Sequence, residues 1–484
     1  MIVNIRVIIN LLGLLTALNG GFMLLALPFS FYYNEDWTAI LYAALGAILV
    51  GIVAWGLSKG YETKDLRKRE GYLIVALGWV FMSLSGTLPY IFTGAIPGIS
   101  NAFFETISGY TTTGATVLVD IEALPKGVLF WRSLTHWIGG MGIVVLTIAI
   151  LPLLGIGGMQ LFVAEAPGPT YDKLHPRIKE TAKRLWYIYF FLTLGETVLL
   201  MAGGMSFYDA VNHAMSTIST GGFSTRNASI TYYDSPYIEY VIIVFMFVGG
   251  TNFTLLYFLF KGKFKKIFFN EEFRAYLGTV LMVGIVVAIA IYYFTGTNPE
   301  RAFRDALFQV VSIVTTTGFI TADYTVWSSF TTVVFFLLLF TGASAGSTSG
   351  GIKIVRHVIL FKNSILELKR QIHPSAVIPV RYNDKAVSET VTYNIVAFIL
   401  IYLTIFSFGS LIMASLGLDF MTAIGAVATT LGNAGPGIGF VGPAYNFSLI
   451  PGLGKWFLAF LMLLGRLELF TVLILFTPYF WSKS

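Results

Sequence analysis

The chain reads as long apolar runs separated by short polar loops. Ten runs are long enough to cross a bilayer, near 5–29, 38–58, 71–94, 129–153, 183–204, 237–261, 274–296, 329–355, 389–416 and 454–478. A spanning helix takes about 20 mostly apolar residues. The second half of the run near 329–355 is abnormally rich in Gly and Ser. Four shorter apolar stretches lie between the runs, near 101–110, 207–218, 302–314 and 420–430. Each fits a re-entrant half-helix, tolerated at membrane depth only where protein or a water-filled cavity covers its end. The pattern predicts an all-α polytopic membrane protein. The first run, Val7 to Leu27, is longer than a signal-peptide core and has no small-residue cleavage site after it, so it is read as a retained helix.

The four short stretches align without gaps. Repeat one has Asn101-Ala102, Ser108 and Thr111-Thr112-Thr113-Gly114; repeat two has Asp209-Ala210, Ser216 and Ser219-Thr220-Gly221-Gly222. Repeat three has Asp305-Ala306, Ser312 and Thr315-Thr316-Thr317-Gly318; repeat four has Thr422-Ala423, Thr429 and Gly432-Asn433-Ala434-Gly435. In every repeat the opening polar residue, Ala and Ser/Thr stand 13, 12 and 6 positions before the last glycine. Such periodicity predicts one unit used four times: helix, half-helix, glycine loop, helix. The opening polar residue suits an N-cap for the half-helix. The glycine allows a tight turn or an inward carbonyl.

Composition and charge sharpen this. Of 484 residues 56% are hydrophobic and 12% charged, with no cysteine, which excludes disulfides and thiolate metal sites. A soluble chain this apolar would aggregate. Of the 31 Lys and Arg, 22 fall in the four loops 59–69, 173–184, 261–274 and 353–385. All four lie on one side if the ten helices alternate, with both termini on that side, while Glu35, Asp36, Asp120, Glu122, Asp234 and Asp323 lie opposite. Excess positive charge marks the cytoplasmic side. The same bases suit anionic lipid or an acidic partner; no base-reading motif accompanies them, which argues against nucleic acid. No clustered catalytic set is present, which argues against a membrane enzyme.

A cation entering a narrow pore must exchange its water for other oxygens, and rings of backbone carbonyls do this. Thr/Gly loops at the C-terminal ends of four half-helices offer such rings, with the helix dipoles favouring positive charge. No carboxylate lies in the loops, unlike a calcium site. This points to a large, weakly hydrated monovalent ion: potassium, with rubidium and caesium following it.

These motifs resemble the Trk/Ktr/HKT superfamily of potassium transporters, and within it the bacterial TrkH-type membrane subunits. The resemblance spans the whole chain and rests on Ser108-Gly109-Tyr110-Thr111-Thr112-Thr113-Gly114, Ser216-Thr217-Ile218-Ser219-Thr220-Gly221-Gly222-Phe223, Gly432-Asn433-Ala434-Gly435-Pro436-Gly437, Arg132-Ser133-Leu134-Thr135-His136-Trp137-Ile138-Gly139-Gly140 and the Gly/Ser stretch near 342–351. It implies one pseudo-fourfold pore per chain behind two extra N-terminal helices, a homodimer in the bacterial inner membrane, and a cytoplasmic nucleotide-binding ring of TrkA type. Relatives with Ser at the first filter glycine tend to admit sodium; Gly114, Gly222, Gly318 and Gly435 therefore imply potassium selectivity. Asn433 breaks the threonine pattern of Thr112, Thr220 and Thr316, so the filter is expected to be only approximately fourfold. The expected division is 1–69 for the extra helices and a cytoplasmic loop, then 70–182, 183–272, 273–386 and 387–484 for the repeats. No resident cofactor is expected; K+ is the cargo.

Two features suggest a gate. Gly342-Ala343-Ser344-Ala345-Gly346-Ser347-Thr348-Ser349-Gly350-Gly351 makes a poor helix. It reads as a flexible plug below the filter, where the family has an intramembrane loop; close helix packing through small residues is the alternative. A phosphate-binding loop fits less well without the Gly-Lys-Ser/Thr ending. Arg466, near the middle of the last run, is a costly intramembrane charge that could repel resident cations or serve a structural pair; Glu468, two positions on, is a poor partner. Glu196 and His136 are read as packing residues, with proton coupling at Glu196, or a proton or metal at His136, left open. A gated potassium pore is the leading reading, and an H+- or Na+-coupled symporter using the same pore is the alternative.

Overall fold

Because a bilayer core offers no hydrogen bonds, chain crossing it closes its amides within helices. The computed structural model describes residues 3–58, 68–150, 178–374, 376 and 378–482. Among them, six helices are long and apolar enough to cross a membrane: Ile5–Tyr32, Thr38–Leu57, Arg69–Phe92, Ala182–Ala202, Glu271–Thr295 and Glu389–Ser415. All six match predicted runs. The only strands among the described residues are the two-residue pair Arg381–Tyr382 and Lys385–Ala386.

The other four runs are broken: three of them are expected as continuous helices, and the run near 329–355 is expected to be abnormal in its second half. The run near 237–261 is Pro236–Gly249 and Phe253–Phe260, bent by 109°. Gly249-Gly250 ends the first piece, and the Asn252 side chain accepts from the Thr254 amide at 2.8 Å to start the second. The run near 454–478 is Gly452–Arg466 and Phe470–Phe476, bent by 112°. The run near 129–153 is Lys126–Ile150, with non-helical backbone at Gly142 (φ 69°, ψ 158°). The run near 329–355 stops as a helix at Leu338, and helix resumes only at Ile354–Ile372. Thus the second helix of every repeat is interrupted.

Four short helices fill the predicted half-helix positions: Ile99–Tyr110, Phe207–Ile218, Pro299–Val314 and Phe420–Gly432. Their N-caps differ from expectation. Ser206, Asn298 and Asp419 cap the last three through their side chains, and Gly98 precedes the first without a side-chain cap. Asn101, Asp209, Asp305 and Thr422 lie inside the helices. A cap needs extended backbone just before the first turn, and that turn begins earlier than the shared polar column. At the start of the fourth half-helix the Thr422 hydroxyl and amide pull the Asp419 carboxyl below the ordinary carboxylate range.

The two extra helices pack on each other through glycine. A Cβ at Gly51 would overlap the Ala17 amide nitrogen, and one at Gly13 would stand 2.8 Å from Gly51 O. From the first helix, Asn19 donates to Met82 O at 3.0 Å and Ser85 Oγ at 2.7 Å and accepts from the Tyr110 hydroxyl, at the end of the first half-helix. Basic residues tie their segments to neighbouring elements. Arg184 donates to Tyr257 OH at 2.9 Å, and Lys362 to Glu271 Oε2 at 2.5 Å and Arg381 O at 2.9 Å. Asn4 N bonds Glu70, and Arg69 bonds Ser482 O, so both ends of the described chain adjoin the start of the helix Lys68–Gly86. Lys59, Lys64, Arg67, Lys173 and Arg177, counted in the charge pattern, lie outside the described residues.

The close approach of the first two helices predicts that Gly51→Ala lowers the thermal unfolding midpoint in detergent, by an overpacking cost of about 1–3 kcal/mol. Gly46→Ala, which points into open space, should not.

Candidate functional site

The four loops share one backbone conformation. Thr112, Thr220, Thr316 and Asn433 have φ of 51°, 54°, 58° and 53°, and Gly114, Gly222, Gly318 and Gly435 have φ of 79°, 82°, 81° and 82°. The residue between has ordinary φ in each case. Alternating handedness turns successive carbonyls toward the same side of the chain. The amides are tied back into the half-helix behind them. Thr113 N donates to Ser108 O at 2.9 Å, Gly221 N to Ser216 O at 2.8 Å, Thr317 N to Ser312 O at 2.8 Å and Ala434 N to Thr429 O at 2.9 Å. The acceptor is the shared Ser/Thr six positions before the glycine, so that column marks where each loop folds back.

The loops close into a ring. A Cβ on Gly114 would overlap the carbonyl oxygen of Gly221, and one on Gly222 that of Thr317. On Gly318 it would stand 2.6 Å from Ala434 O, and on Gly435 2.9 Å from Thr113 O. Each repeat's glycine therefore abuts the next repeat's preceding carbonyl, and the fourth returns to the first. No side chain fits there, and φ near 80° is a glycine conformation besides. Of the sixteen predicted loop residues, Thr113-Gly114, Gly221-Gly222, Thr317-Gly318 and Ala434-Gly435 meet at this ring, and Thr111, Thr112, Ser219, Thr220, Thr315, Thr316, Gly432 and Asn433 are buried just before them in the chain.

Its fourth quarter differs as the sequence suggests. Asn433 Nδ2 donates to Thr113 Oγ1 and to Met462 O, both at 2.9 Å, stitching repeat four to repeat one. In repeats one and three the hydroxyls pair within the loop instead, Thr111 with Thr113 at 2.8 Å and Thr315 with Thr317 at 2.7 Å.

The Gly/Ser stretch lies directly against this ring. Gly350 N donates to Thr316 Oγ1 at 2.7 Å, and a Cβ on Gly350 would stand 2.6 Å from Gly432 O. Thr348 Oγ1 bonds Ile218 O at 2.9 Å and Gly249 O at 3.1 Å, and receives Thr220 Oγ1 at 3.3 Å. The rest is pinned from the sides, Ser344 N to Gly250 O at 3.0 Å and Ala345 N to Glu272 Oε1 at 2.6 Å, and from within, Ala343 N to Ser349 Oγ at 3.2 Å. Gly342 N reaches Ile352 O at 2.9 Å, Gly346 O accepts from Phe253 N at 3.0 Å, and Gly351 sits at φ 66°. Ser347 Oγ returns to Ser344 O at 2.6 Å.

Two cations grip this stretch. Arg466 Nη1 donates to Thr348 O at 2.8 Å and Nη2 to Gly139 O at 2.6 Å, joining repeats four, three and one. It ends its helix rather than occupying the middle of one. Lys353, buried, donates through Nζ to Ser349 O. Sequence reasoning missed Lys353, counting it with the basic cytoplasmic loop. Arg356, counted there too, is buried and paired with Glu468. The signal was position: both directly follow the Gly/Ser stretch.

Also missed was a buried ion pair, Glu105 with Arg132 at 2.7 Å. Nine positions before each last glycine stand Glu105, His213, Gln309 and Ala426. The first three are polar within half-helices otherwise mostly apolar, a pattern the alignment carried unread. His213 bonds Ser224 Oγ at 2.9 Å, and Gln309 Nε2 donates to Thr321 Oγ1 at 3.2 Å. His136 is buried with its ring stacked on Phe223 at 3.9 Å, and Glu196 is buried within the helix Ile178–Ala202.

The profile of the TrkH family, described as a cation transport protein, matches residues 39–483. The Trk system potassium uptake protein TrkH of Salmonella typhimurium is 41% identical over 99% of this chain and 100% of its own length. The Trk system potassium uptake protein TrkG of Escherichia coli K12 is 35% identical over 99% of each. The crystal structure of the potassium transporter TrkH from Vibrio parahaemolyticus superposes with a TM-score of 0.89 at 38% identity, covering 99% of this chain and 100% of that one. A pseudo-fourfold ring of glycine loops on four half-helices, matched along nearly the full length of these relatives, makes this chain a member of the TrkH family of membrane cation transporters.

Proposed function

We propose that this chain carries potassium into a bacterial cell across the inner membrane, through a gated channel-like pore. The observation that carries the reading is the ring closure: four loops of one backbone conformation, each glycine against the next repeat's carbonyl. The loop residues at 111–114, 219–222, 315–318 and 432–435 act as the selectivity filter. Their carbonyls replace the hydration shell of K+ as it enters. The half-helix C-termini point their partial negative charge at the same place. Basic loops on one face support a cytoplasmic placement of both termini, and the names of the relatives support potassium as cargo and uptake as the direction. The division of the chain at 69/70, 182/183, 272/273 and 386/387 belongs to the same reading.

Residues 342–351 and Arg466 act as the gate. The stretch touches the ring where an ion leaving the filter must pass, and the guanidinium adds an electrostatic barrier there. Opening requires the stretch to let go of Thr316 and Thr220, which suits control from outside the membrane. A TrkA-type nucleotide-binding ring and a second copy of the chain fit this role, in keeping with a multi-component Trk system.

Liposomes containing only this chain should take up K+ down its gradient with no sodium present and no pH difference; uptake that needs either ion gradient would establish the coupled symporter instead. Gly114→Ser and Gly222→Ser should each lower K+ preference over Na+, by about tenfold for a lost coordination geometry worth roughly 1.4 kcal/mol. Unchanged selectivity in both would remove the filter assignment. Arg466→Ala should raise K+ flux per molecule severalfold, and equal flux would remove Arg466 as a barrier.

A further inference from the structure

The Arg132–His136 motif has no part in the pore as described so far, yet both side chains close on one ring. Phe223, directly after Gly222, lies with its centre 3.4 Å from the Arg132 guanidinium carbon and stacks on the His136 imidazole at 3.9 Å. Arg132 and His136 are one helical turn apart and therefore share a face. The Phe223 amide donates to His136 Nδ1 at 3.4 Å. Arg132 Nη1 donates to the next carbonyl, Ser224 O, at 3.0 Å.

The other partner of Arg132 faces the neighbouring loop. Its Nε reaches Glu105 Oε1 at 2.7 Å. The carboxylate also accepts from Thr116 Oγ1 at 2.9 Å and Val117 N at 2.9 Å, in the segment leaving the repeat-one loop. One buried ion pair thus grips the outgoing segments of two adjacent filter loops.

We propose that Glu105, Arg132 and His136 are positioning residues for ion selectivity, a clamp that fixes the outer ends of the loops carrying Gly114 and Gly222. The proposal rests on the filter reading given above. Arg132 and Glu105 are 2% and 0% exposed. Burying such charges costs several kcal/mol per ion, and apolar residues of the same volume often hold a fold equally well. The bonds described above run from this pair to the two outgoing segments. What the charges add over an apolar pair is a defined position for carbonyls and amides. In the cavity-size account of selectivity, a carbonyl ring prefers the larger ion while its oxygens are kept from closing on a smaller one. The clamp is uneven around the ring, because repeat four has Ala426 in this column and repeat three the neutral Gln309.

The test uses full-length protein in liposomes, with K+ and Na+ uptake measured on the same preparation. Glu105→Gln and Arg132→Lys should lower the K+/Na+ uptake ratio by about tenfold, the scale of one hydrogen bond to a charged group. Phe223→Leu leaves the ion pair and removes the stacked ring; it should lower the ratio in the same direction, and Phe223→Tyr should retain it. A merely structural role would lower folded yield, and uptake of both ions together, without moving the ratio. An unchanged ratio in folded Glu105→Gln and Phe223→Leu overturns the clamp, and where the charge variants do not fold, the Phe223 pair decides. Gly222→Ser separates the two readings. If it shifts the ratio and the clamp variants do not, the clamp alone fails; if it too leaves the ratio unchanged, the filter reading fails.

Discussion

Backbone that leaves a helix inside a membrane must find partners for its amides while keeping its carbonyls available. Here each half-helix answers for its own loop. The amide before each loop's last glycine bonds the carbonyl of the Ser or Thr at the loop's foot. The donors are satisfied locally, and the oxygens are left to point elsewhere. Everything around the ring follows from this arrangement. The second helices break beside it, because they must make room for loops and the 342–351 stretch, and glycine occupies the points where one repeat's backbone meets the next.

The same economy governs the charges. Arg466 and Lys353 donate to backbone carbonyls of the 342–351 stretch, and Arg132 and Glu105 bond backbone on the outgoing side of two loops. Charged side chains in membrane interiors are rare and usually bound to a task. In this chain Arg466, Lys353 and Glu272 bond backbone of the Gly/Ser stretch, and the Arg132–Glu105 pair bonds the segments leaving two of the loops. The repeats share a backbone plan, while these charges are not carried over from one repeat to the next.

The repeat was legible because it is a property of spacing. Backbone conformations that only glycine tolerates, and a Ser or Thr that must accept at the loop's foot, impose columns that survive in one chain. Asn433 was legible as an exception for the same reason. The half-helix starts were not, since Ser206 and Asp419 cap from three positions before the aligned polar column. The breaks were harder still. Glu468 and Leu469 both adopt φ of 56°. Neither is a residue that announces a turn; tertiary packing and the Arg356–Glu468 pair hold that backbone. Lys353 and Arg356 were misplaced because charge alone does not distinguish a base in water from one aimed at a buried carbonyl. The Glu105–Arg132 pair joins residues 27 positions apart on separate helices, which no local pattern displays.

The seam between the last and first repeats joins Asn433 to Thr113, 320 positions apart in the chain. A growing polypeptide inserts its helices in order, so the first three quarters reach the bilayer with no fourth wall. The conduit cannot exist until the final quarter has left the ribosome and docked on the oldest one. A truncated product is thus an open arc rather than a smaller closed ring.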